Sequence, residues 1–204
     1  NELLEKILFR LKKKNLKGVN LVEIGSGIGI TSLFFASKGA NVTLLDKSKE
    51  IVSPAKTYWG KTAEPSFIFS DIFAYKAIKK YDIVTSFGLC EHFIRGNRKK
   101  ILMKHLELLN NDGVALISVP YKYGIFYRIG KFLAEKLGIW SFGLEVPFSK
   151  KELITFAKDN RLSYEIIMGG FYSSIYDLFV RKPLKVILKK NIKRRFDETK
   201  SIFD

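Results

Sequence analysis

The sequence predicts an α/β protein with a doubly wound parallel sheet, and three observations between residues 19 and 48 carry that prediction. Residues 19–24 form an apolar run of strand length, and glycines follow at positions 25, 27 and 29. An apolar stretch with helical spacing comes next, and a second apolar run, 41–45, ends at Asp46. The order of strand, glycine loop, helix, strand and acid predicts a unit that binds a nucleoside.

The glycine loop would give a ligand direct access to the backbone. Glycine allows the chain to turn sharply, and its lack of a side chain lets a ligand lie against the main chain. The helix start behind the loop offers unpaired N–H groups and a partial positive charge, which favour a carboxylate or a phosphate. Asp46 ends the second strand, where its carboxylate is suited to accept hydrogen bonds from two ribose hydroxyls.

The spacing of the glycines separates two classes of nucleotide. Dinucleotide-binding proteins use G-x-G-x-x-G, which would require a third glycine where this chain has Ile30. The observed pattern is Glu23-x-Gly25-x-Gly27-x-Gly29, which resembles motif I of the class I S-adenosylmethionine-dependent methyltransferases. The methionine end of that cofactor carries an ammonium and a carboxylate group, so an acid and bare N–H groups are both useful to it. A nicotinamide or flavin enzyme is the weaker alternative.

The resemblance covers residues 19–120 and implies a fold and a domain organisation. It implies a Rossmann-like, doubly wound, seven-stranded sheet of strand order 3-2-1-4-5-7-6 whose last strand is antiparallel. Residues 162–168 and 174–180 are the predicted antiparallel pair that closes this sheet. The methyltransferase domain is then expected over residues 1–182, followed by a basic C-terminal extension at 183–204.

Apolar spacing and capping signals predict the remaining elements. Ser149 and Glu152 form a capping box for a helix that ends near residue 160. The run Asn-Asn-Asp-Gly at 110–113 predicts a turn before a fifth strand at 114–119. Further helices are predicted at 1–14, after Ser48, at 74–80 and at 95–109.

The resemblance also implies roles for side chains at the carboxyl ends of the predicted strands. Asp71 would receive the adenine amino group and Ile72 would pack on the ring, although Asp71 is equally suited to cap a helix at 74–80. His92 is the candidate general base, because its pKa suits proton transfer near neutral pH; a structural histidine is the alternative. His105 and Cys90 are interpreted as buried structural residues. The implied cofactor-binding residues are Glu23, Gly25, Ser26, Gly27, Gly29, Asp46, Lys47, Asp71, Ile72, Ser86 and Phe87.

Residues 121–148 interrupt the regular alternation of strands and helices. This segment carries six aromatic residues (Tyr121, Tyr123, Phe126, Tyr127, Phe132 and Trp140) mixed with lysine and arginine. In the resembled fold, the connection after strand five crosses the mouth of the active site, so an aromatic lid over the substrate is the favoured interpretation. A helix that packs its aromatic residues into the core and a helix at a membrane surface are the alternatives.

Composition and charge allow one ordinary domain and leave the partner open. The chain has 204 residues, 47% of them hydrophobic, with 36 Lys and Arg against 20 Asp and Glu, a net charge of +16. Basic residues are densest at 181–195, which predicts either an anionic partner, RNA or a membrane surface, or simply a lysine-rich solvated surface. The single cysteine and the lack of a transmembrane run or secretory signal favour a cytoplasmic protein.

These observations together predict S-adenosylmethionine-dependent methyl transfer to a small-molecule acceptor. The end of strand four lacks the Asn/Asp-Pro-Pro-aromatic signature that is used against exocyclic amines of DNA or glutamine. No metal site is predicted, since Glu91 and His92 offer only two ligands. The alternatives are a methyltransferase that acts on RNA or an anionic lipid, and a non-catalytic protein that uses the basic tail to bind nucleic acid or a membrane surface.

Overall fold

A computed structural model describes residues 2–138, 140 and 143–168 of the chain. The chain divides into two compact units. One unit spans Leu4–Val119 and contains the sheet; the other contains the chain from Pro120 onward together with the first three residues.

The first unit is organised around a five-stranded sheet. Its strands have the order β3-β2-β1-β4-β5, and every neighbouring pair is parallel. Central β1 pairs with a neighbour on each side, so that Val22 lies opposite Thr43 on one side and opposite Val84 on the other. The order agrees with the first five strands of the prediction. The strands are β1 (Asn20–Ile24), β2 (Asn41–Asp46), β3 (Ser66–Phe69), β4 (Tyr81–Phe87) and β5 (Leu109–Ser118).

The helices connect the strands of the first unit, and two of them, α5 and α6, belong to the second unit. They are α1 (Glu2–Arg10), α2 (Ser32–Ser37), α3 (Val52–Trp59), α4 (Gly96–Leu108), α5 (Ile125–Lys136) and α6 (Lys150–Asp159), with short 3₁₀ turns at Lys49–Ile51 and Cys90–His92. The predicted N-cap at Ser149 is confirmed, because the Ser149 hydroxyl accepts the Glu152 N–H at 3.1 Å. None of the helices in the described ranges is both long and apolar enough to cross a membrane.

The core of the first unit lies around the central strands. Leu21, Val22 and Ile24 of β1 are fully buried, as continuous apolar strands of a parallel sheet must be when both faces are covered. Trp59 at the end of α3 and Tyr81 at the start of β4 are the largest fully buried side chains. Burial of such side chains contributes roughly 1.5–3 kcal/mol each to the free energy of unfolding.

The predicted turn at 110–113 is wrong in detail, because β5 runs through it as a bulge. Between Tyr81 and Ile83 of β4, the paired strand advances from Leu109 to Val114. The three extra residues bow outward, which is how a strand absorbs turn-forming residues without losing its later register. Asp82 fixes the bulge, since one of its carboxylate oxygens accepts from Asn110 Nδ2 at 2.8 Å while the other accepts from a β1 N–H at 2.8 Å.

Two further predicted elements are not formed. Residues 74–80 are not helical; Asp71 instead accepts the N–H groups of Phe73 and Ala74 at 2.8 and 3.4 Å, which closes a single turn. Residues 162–168 are not a strand. A strand needs a hydrogen-bonded neighbour, and its predicted partner, 174–180, lies outside the described residues, so the seven-stranded sheet with an antiparallel last strand stays a prediction.

Candidate cofactor-binding site

The loop between β1 and α2 contains three glycines in the left-handed region of backbone conformation. The φ angles of Gly25, Gly27 and Gly29 are 61°, 50° and 70°, values that only glycine adopts without strain. A Cβ atom on Gly25 would approach Leu89 to 2.6 Å, and one on Gly29 would approach Leu44 to 2.6 Å, whereas one on Gly27 would meet nothing within 4 Å. Packing against buried Leu44 and Trp59 therefore favours glycine at position 29, whereas Gly25 faces only the methyl ends of the half-buried Leu89 side chain and Gly27 presents bare backbone to open space.

The rest of the protein holds this loop in a fixed shape. The Gly25 N–H donates to Leu45 O at 2.8 Å, and the Gly29 N–H donates to Ser26 O at 2.9 Å. The indole N–H of buried Trp59 donates to the Ile28 carbonyl at 2.9 Å. Two of these bonds join the loop to β2 and α3 and the third closes a turn within it, so its backbone is held in place before any ligand arrives.

Asp46, at the end of β2, binds two backbone N–H groups. Its Oδ2 accepts the Gly27 N–H at 2.9 Å and its Oδ1 accepts the Ser48 N–H at 3.0 Å. The half-buried carboxylate thus orients the glycine loop, and each of its oxygens can still accept a further hydrogen bond.

Glu23 is a buried acid with an unused oxygen. Its side chain is 3% exposed, and its Oε2 has no hydrogen-bond partner within the part of the chain that the structure describes. Burial raises the pKa of Glu23 to about 7, the nearby polar groups of Ser32 oppose that rise, and the nearby charge of Asp46 adds to it. A carboxylate in this state gains most from a cationic partner, because the partner would satisfy the free oxygen and stabilise the charged form.

The donor set fits the methionine and ribose ends of S-adenosylmethionine. The unpartnered oxygen of Glu23 suits an ammonium group, the open backbone at Gly27 admits a ligand against the main chain, and Asp46 suits ribose hydroxyls. The expected helix start contributes less than the sequence suggested. Helix α2 begins only at Ser32 and has six residues, which makes its dipole small.

The other predicted cofactor-binding residues show different degrees of fit. Ser26 is buried in the loop and donates its hydroxyl to the Gly27 carbonyl at 3.2 Å. Lys47 is exposed next to Asp46. Asp71 is exposed and uses Oδ1 for its own turn, while Ile72 is 7% exposed and offers little free surface to a ring. An edge-to-face contact of Phe73 with Phe93, at 5.2 Å between ring centroids, brings the loop after β3 against the loop after β4.

The hydroxyl of Ser86 is hydrogen-bonded to other side chains of the protein. The residue is completely buried, and its Oγ lies 2.8 Å from His105 Nε2 and 3.6 Å from Cys90 Sγ. His105 Nδ1 lies 2.8 Å from the Ile101 carbonyl, which only accepts, so Nδ1 carries the proton and Nε2 accepts from Ser86. Burial lowers the pKa of His105 to about 4 and raises that of Cys90 to about 12. The structural interpretation of both residues is confirmed.

The candidate base, His92, lies in the loop that follows β4. It ends the 3₁₀ turn Cys90–His92, its N–H donates to Leu89 O at 3.1 Å, and its side chain is not buried. Glu91 beside it is buried, and Phe87 at the end of β4 is half-buried. The loop carrying His92 reaches the glycine loop through Leu89, which packs on Gly25.

Sequence reasoning missed three residues that shape this site. Leu89 and Trp59 fix the glycine loop from either side, and Ser32 lies against the buried carboxylate of Glu23. The signal for Trp59 was its place at the end of an amphipathic helix, which predicts burial but not its bond to Ile28. No local pattern marks Leu89 or Ser32, because their contacts depend on how separate segments meet.

Comparison with known proteins places this geometry in a family. A family model described as "Methyltransferase domain" matches residues 1–156. Among curated proteins, the ubiquinone biosynthesis O-methyltransferase of Rickettsia akari is 25% identical over 76% of this chain and 59% of its own length. That of Pelagibacter ubique is 26% identical over 78% of this chain and 68% of its own length. The chain spans about three fifths of the length of the first three curated relatives that it matches.

A solved structure shows the same fold at low identity. The magnesium protoporphyrin IX methyltransferase of Synechocystis PCC 6803, crystallised with bound S-adenosylhomocysteine, aligns with a TM-score of 0.58 and 19% identity. The alignment covers 81% of this chain and 74% of that one. The α/β fold with a parallel Rossmann-like sheet is therefore common to both chains.

Proposed function

The chain belongs to the class I S-adenosylmethionine-dependent methyltransferases, and from this premise we propose that it transfers a methyl group from S-adenosylmethionine to a small-molecule acceptor. The observation that carries the proposal is the arrangement of Glu23, Gly27 and Asp46 in one loop system. A buried acid with an unused oxygen, open backbone and a diol acceptor match the charged and hydroxyl groups of this cofactor.

Different residues of this chain bind the cofactor and fix its orientation. Asp46 binds the ribose hydroxyls with the acceptor capacity that Gly27 and Ser48 leave unused. Glu23 pairs with the ammonium group, which shifts its carboxyl to the charged form. The rigid loop fixes the donor's direction, because in-line displacement requires nucleophile, methyl and sulfur to be aligned. When bound, S-adenosylmethionine supplies an activated methyl group.

The acceptor is proposed to be a small molecule with a hydroxyl group. The support is that curated relatives are named as O-methyltransferases of ubiquinone biosynthesis, and a structural neighbour as a methyltransferase of magnesium protoporphyrin IX. A hydroxyl must lose its proton during transfer, and His92, on the loop after β4, is the proposed general base. Replacement of His92 by Ala is expected to lower kcat about 10²–10⁴-fold while the Kd of the cofactor stays unchanged.

Three finer points remain proposals. The domain is proposed to span residues 1–182, with a substrate lid at 121–148 and a basic extension at 183–204. The seven-stranded sheet with an antiparallel last strand stays a prediction. The alternative from the sequence is an anionic partner, RNA or a membrane surface, at residues 181–195. Filter binding of RNA at increasing salt tests the RNA alternative, and a flat salt dependence would count against it.

The proposal is tested by calorimetric titration of the wild type and two variants with S-adenosylmethionine and, separately, with NADH. Wild type should bind the methyl donor at micromolar concentration and should not bind NADH. Asp46→Ala should lose donor binding by more than about 100-fold, because a charged acceptor of several hydrogen bonds is removed. Asp112→Ala is the matched control, since it removes an exposed aspartate of the β5 bulge.

Two results would contradict the proposal. Binding of NADH rather than the methyl donor would restore the nicotinamide alternative. Equal loss of binding in Asp46→Ala and Asp112→Ala would mean that general charge, and not the loop geometry, controls the affinity.

A further inference from the structure

Helix α5 of the second unit presents its large apolar side chains to solvent. Ile125, Ile129, Phe132 and Leu133 of the helix, and Leu137 just after it, are all exposed, with Ile125 at 66% and Phe132 at 57%. Counted from Ile125, the other four residues follow after four, seven, eight and twelve positions, a spacing that places all five on one face of the helix. The opposite side, which contains Gly130 and Ala134, is buried.

Helix α6 of the same unit shows the ordinary arrangement. Its apolar residues Leu153, Ile154 and Phe156 are half-buried and Ala157 is buried, while Lys151 and most of its other charged side chains are exposed. The orientation of α5 is therefore a property of that helix and not of the unit. Five exposed large apolar side chains on one side of a helix, with Lys136 Nζ 5.4 Å from the Phe132 ring centroid, mark a candidate interaction site.

A basic groove runs along the flank of the exposed apolar face. It has a volume of about 350 Å³ and is lined by residues that include Lys122, Arg128, Lys131, Tyr123, Phe132 and Glu135. Phe132 belongs both to the groove and to the exposed face, so the apolar and basic surfaces are continuous.

Two of the three cations in the groove have no carboxylate partner among the described residues. Lys131 Nζ is used within the unit: it donates to the Glu145 carbonyl at 2.8 Å and lies 3.8 Å from Glu135. Lys122 lies over the Tyr123 ring at 5.7 Å, and neither it nor Arg128 forms an ion pair in the described ranges. The groove therefore carries cationic side chains that are available to an anion.

We propose that α5 lies in the surface of an anionic phospholipid bilayer, with its apolar face among the acyl chains and with lipid phosphates at Lys122 and Arg128. An apolar face flanked by basic residues has the chemistry of an interfacial helix. At twelve residues, α5 is about 18 Å long and suits the interface plane. A second copy would bring like charges together, and RNA would leave the aliphatic side chains uncovered. Membrane binding by α5 does not depend on methyl transfer; it assigns to α5 the membrane-surface role that the sequence left as an alternative to a substrate lid.

Flotation of the full chain with vesicles tests the proposal. Protein should float with vesicles of phosphatidylglycerol and phosphatidylcholine in equal parts, and should not float with phosphatidylcholine alone. Trp140 lies on Lys131 at 5.3 Å, next to the groove, so its emission should shift to the blue on binding. Trp59 is buried and should contribute an unchanged signal.

Matched variants separate α5 from the rest of the surface. The pair Ile129→Ser and Phe132→Ser should lower the partition coefficient at least tenfold, because it removes most of the apolar anchor. Arg128→Gln should lower it about fivefold, the contribution of one cation near an anionic surface. The control pair, Phe9→Ser and Ile78→Ser, changes apolar side chains that are 81% and 89% exposed elsewhere and should float like wild type.

Three outcomes would overturn the proposal. The first is that the α5 double variant floats as well as wild type. The second is that Lys189→Gln, Lys190→Gln and Lys193→Gln together abolish flotation while the α5 variants do not, which would assign binding to the tail. The third is that sedimentation shows a dimer which Phe132→Ser dissociates, which would assign the apolar face to a second copy.

Discussion

Glu23 in β1 and Ser86 in β4 are both buried polar residues near the carboxyl ends of adjacent strands, yet the protein treats them in opposite ways. Glu23 keeps an oxygen without a partner in the described chain, and its pKa is raised to about 7. Ser86 is bonded to His105, which is in turn bonded to Ile101. The buried polar group at the end of β1 therefore keeps an oxygen without a hydrogen bond in the described part of the chain, whereas the one at the end of β4 is hydrogen-bonded within the protein.

The difference indicates where a ligand is needed. An unsatisfied buried oxygen costs roughly 1–3 kcal/mol, and a fold tolerates that cost where a bound group satisfies the oxygen. A closed side-chain network such as Ser86–His105–Ile101 stabilises the fold and has no free group to offer. The cofactor should therefore depend on the β1 and β2 side of the site more than on the side chains of β4.

The largest expected effect is on the packing of the glycine loop. Gly29→Ala should lower the free energy of unfolding by about 2–5 kcal/mol, because it combines left-handed backbone strain with a 2.6 Å approach to Leu44. Urea unfolding measures the change. Gly27→Ala is the matched variant: its Cβ meets no atom, so only about 1–2 kcal/mol of strain is expected, while affinity for S-adenosylmethionine should fall at least about tenfold. Equal destabilisation by both variants would contradict the distinction.

The next effect is on the pH dependence of stability. The pKa of Glu23 rises on folding from 4.5 to about 7, so the carboxyl keeps its proton to a higher pH in the folded protein than in the unfolded chain. Its contribution to the free energy of unfolding is therefore lost as pH rises through that range. The pKa of His105 falls from 6.5 to about 4, so its contribution is gained as pH rises from 4 to 6.5. Each of these two pKa shifts corresponds to about 3 kcal/mol of unfolding free energy. In wild type the two contributions have opposite pH dependence and offset each other between pH 4.5 and 6.5.

The substitution Glu23→Gln removes the contribution of Glu23 and leaves that of His105. Its free energy of unfolding should increase by about 3 kcal/mol between pH 4 and 6.5, because only the histidine contribution remains. His105→Gln should show the opposite slope between pH 4.5 and 7. Thermal or urea unfolding across this pH range measures both, and parallel curves for the two variants would disprove the assignment.

A smaller effect concerns the closed network of β4. Ser86→Ala should cost about 1–3 kcal/mol of stability, because it leaves buried His105 Nε2 without its donor. Affinity for S-adenosylmethionine should change less than about twofold. A tenfold loss of affinity at unchanged stability would instead show that the Ser86 hydroxyl contacts the cofactor, and would remove the contrast between the two strands.

The smallest effect is on the pH dependence of cofactor affinity. Glu23 must lose its proton to pair with the ammonium group, so affinity should rise about tenfold from pH 6 to 7.5. It should fall again above pH 8, where the α-amino group loses its own proton. Titrations at several pH values measure the profile, and a flat profile in wild type would mean that Glu23 does not meet the ammonium group.

Local sequence patterns predicted the first five strands and the glycine loop, whereas the order of the strands in the sheet was implied by the resemblance to the methyltransferase family. Strand β1 and its glycines form a continuous signal in which apolar residues, turn residues and the acid of β2 are close in sequence. The Ser149 N-cap is equally local and was predicted correctly. Such features depend on neighbouring residues, and one sequence is enough to specify them.

Other features depend on contacts between distant segments and could not be predicted. Asp46 accepts the Gly27 N–H, so two groups that were each expected to bind the ligand are hydrogen-bonded to each other. The hydroxyl of Ser86 was expected near the cofactor, but His105, nineteen residues away, takes it up. The outward orientation of α5 could not be separated from a core helix, because amphipathic spacing defines two faces without saying which one is buried.

The bulge in β5 also has a practical consequence for protein engineering. Asp82 binds Asn110 on one side of the bulge and the start of β1 on the other, so the register of the sheet is fixed independently of the bulge tip. Asn111 and Asp112 at the tip are exposed, while Gly113 has no room for a side chain. The peptide bond between Asn111 and Asp112 is therefore the place in this sheet where an epitope or a fluorescent label can be inserted without displacing a strand.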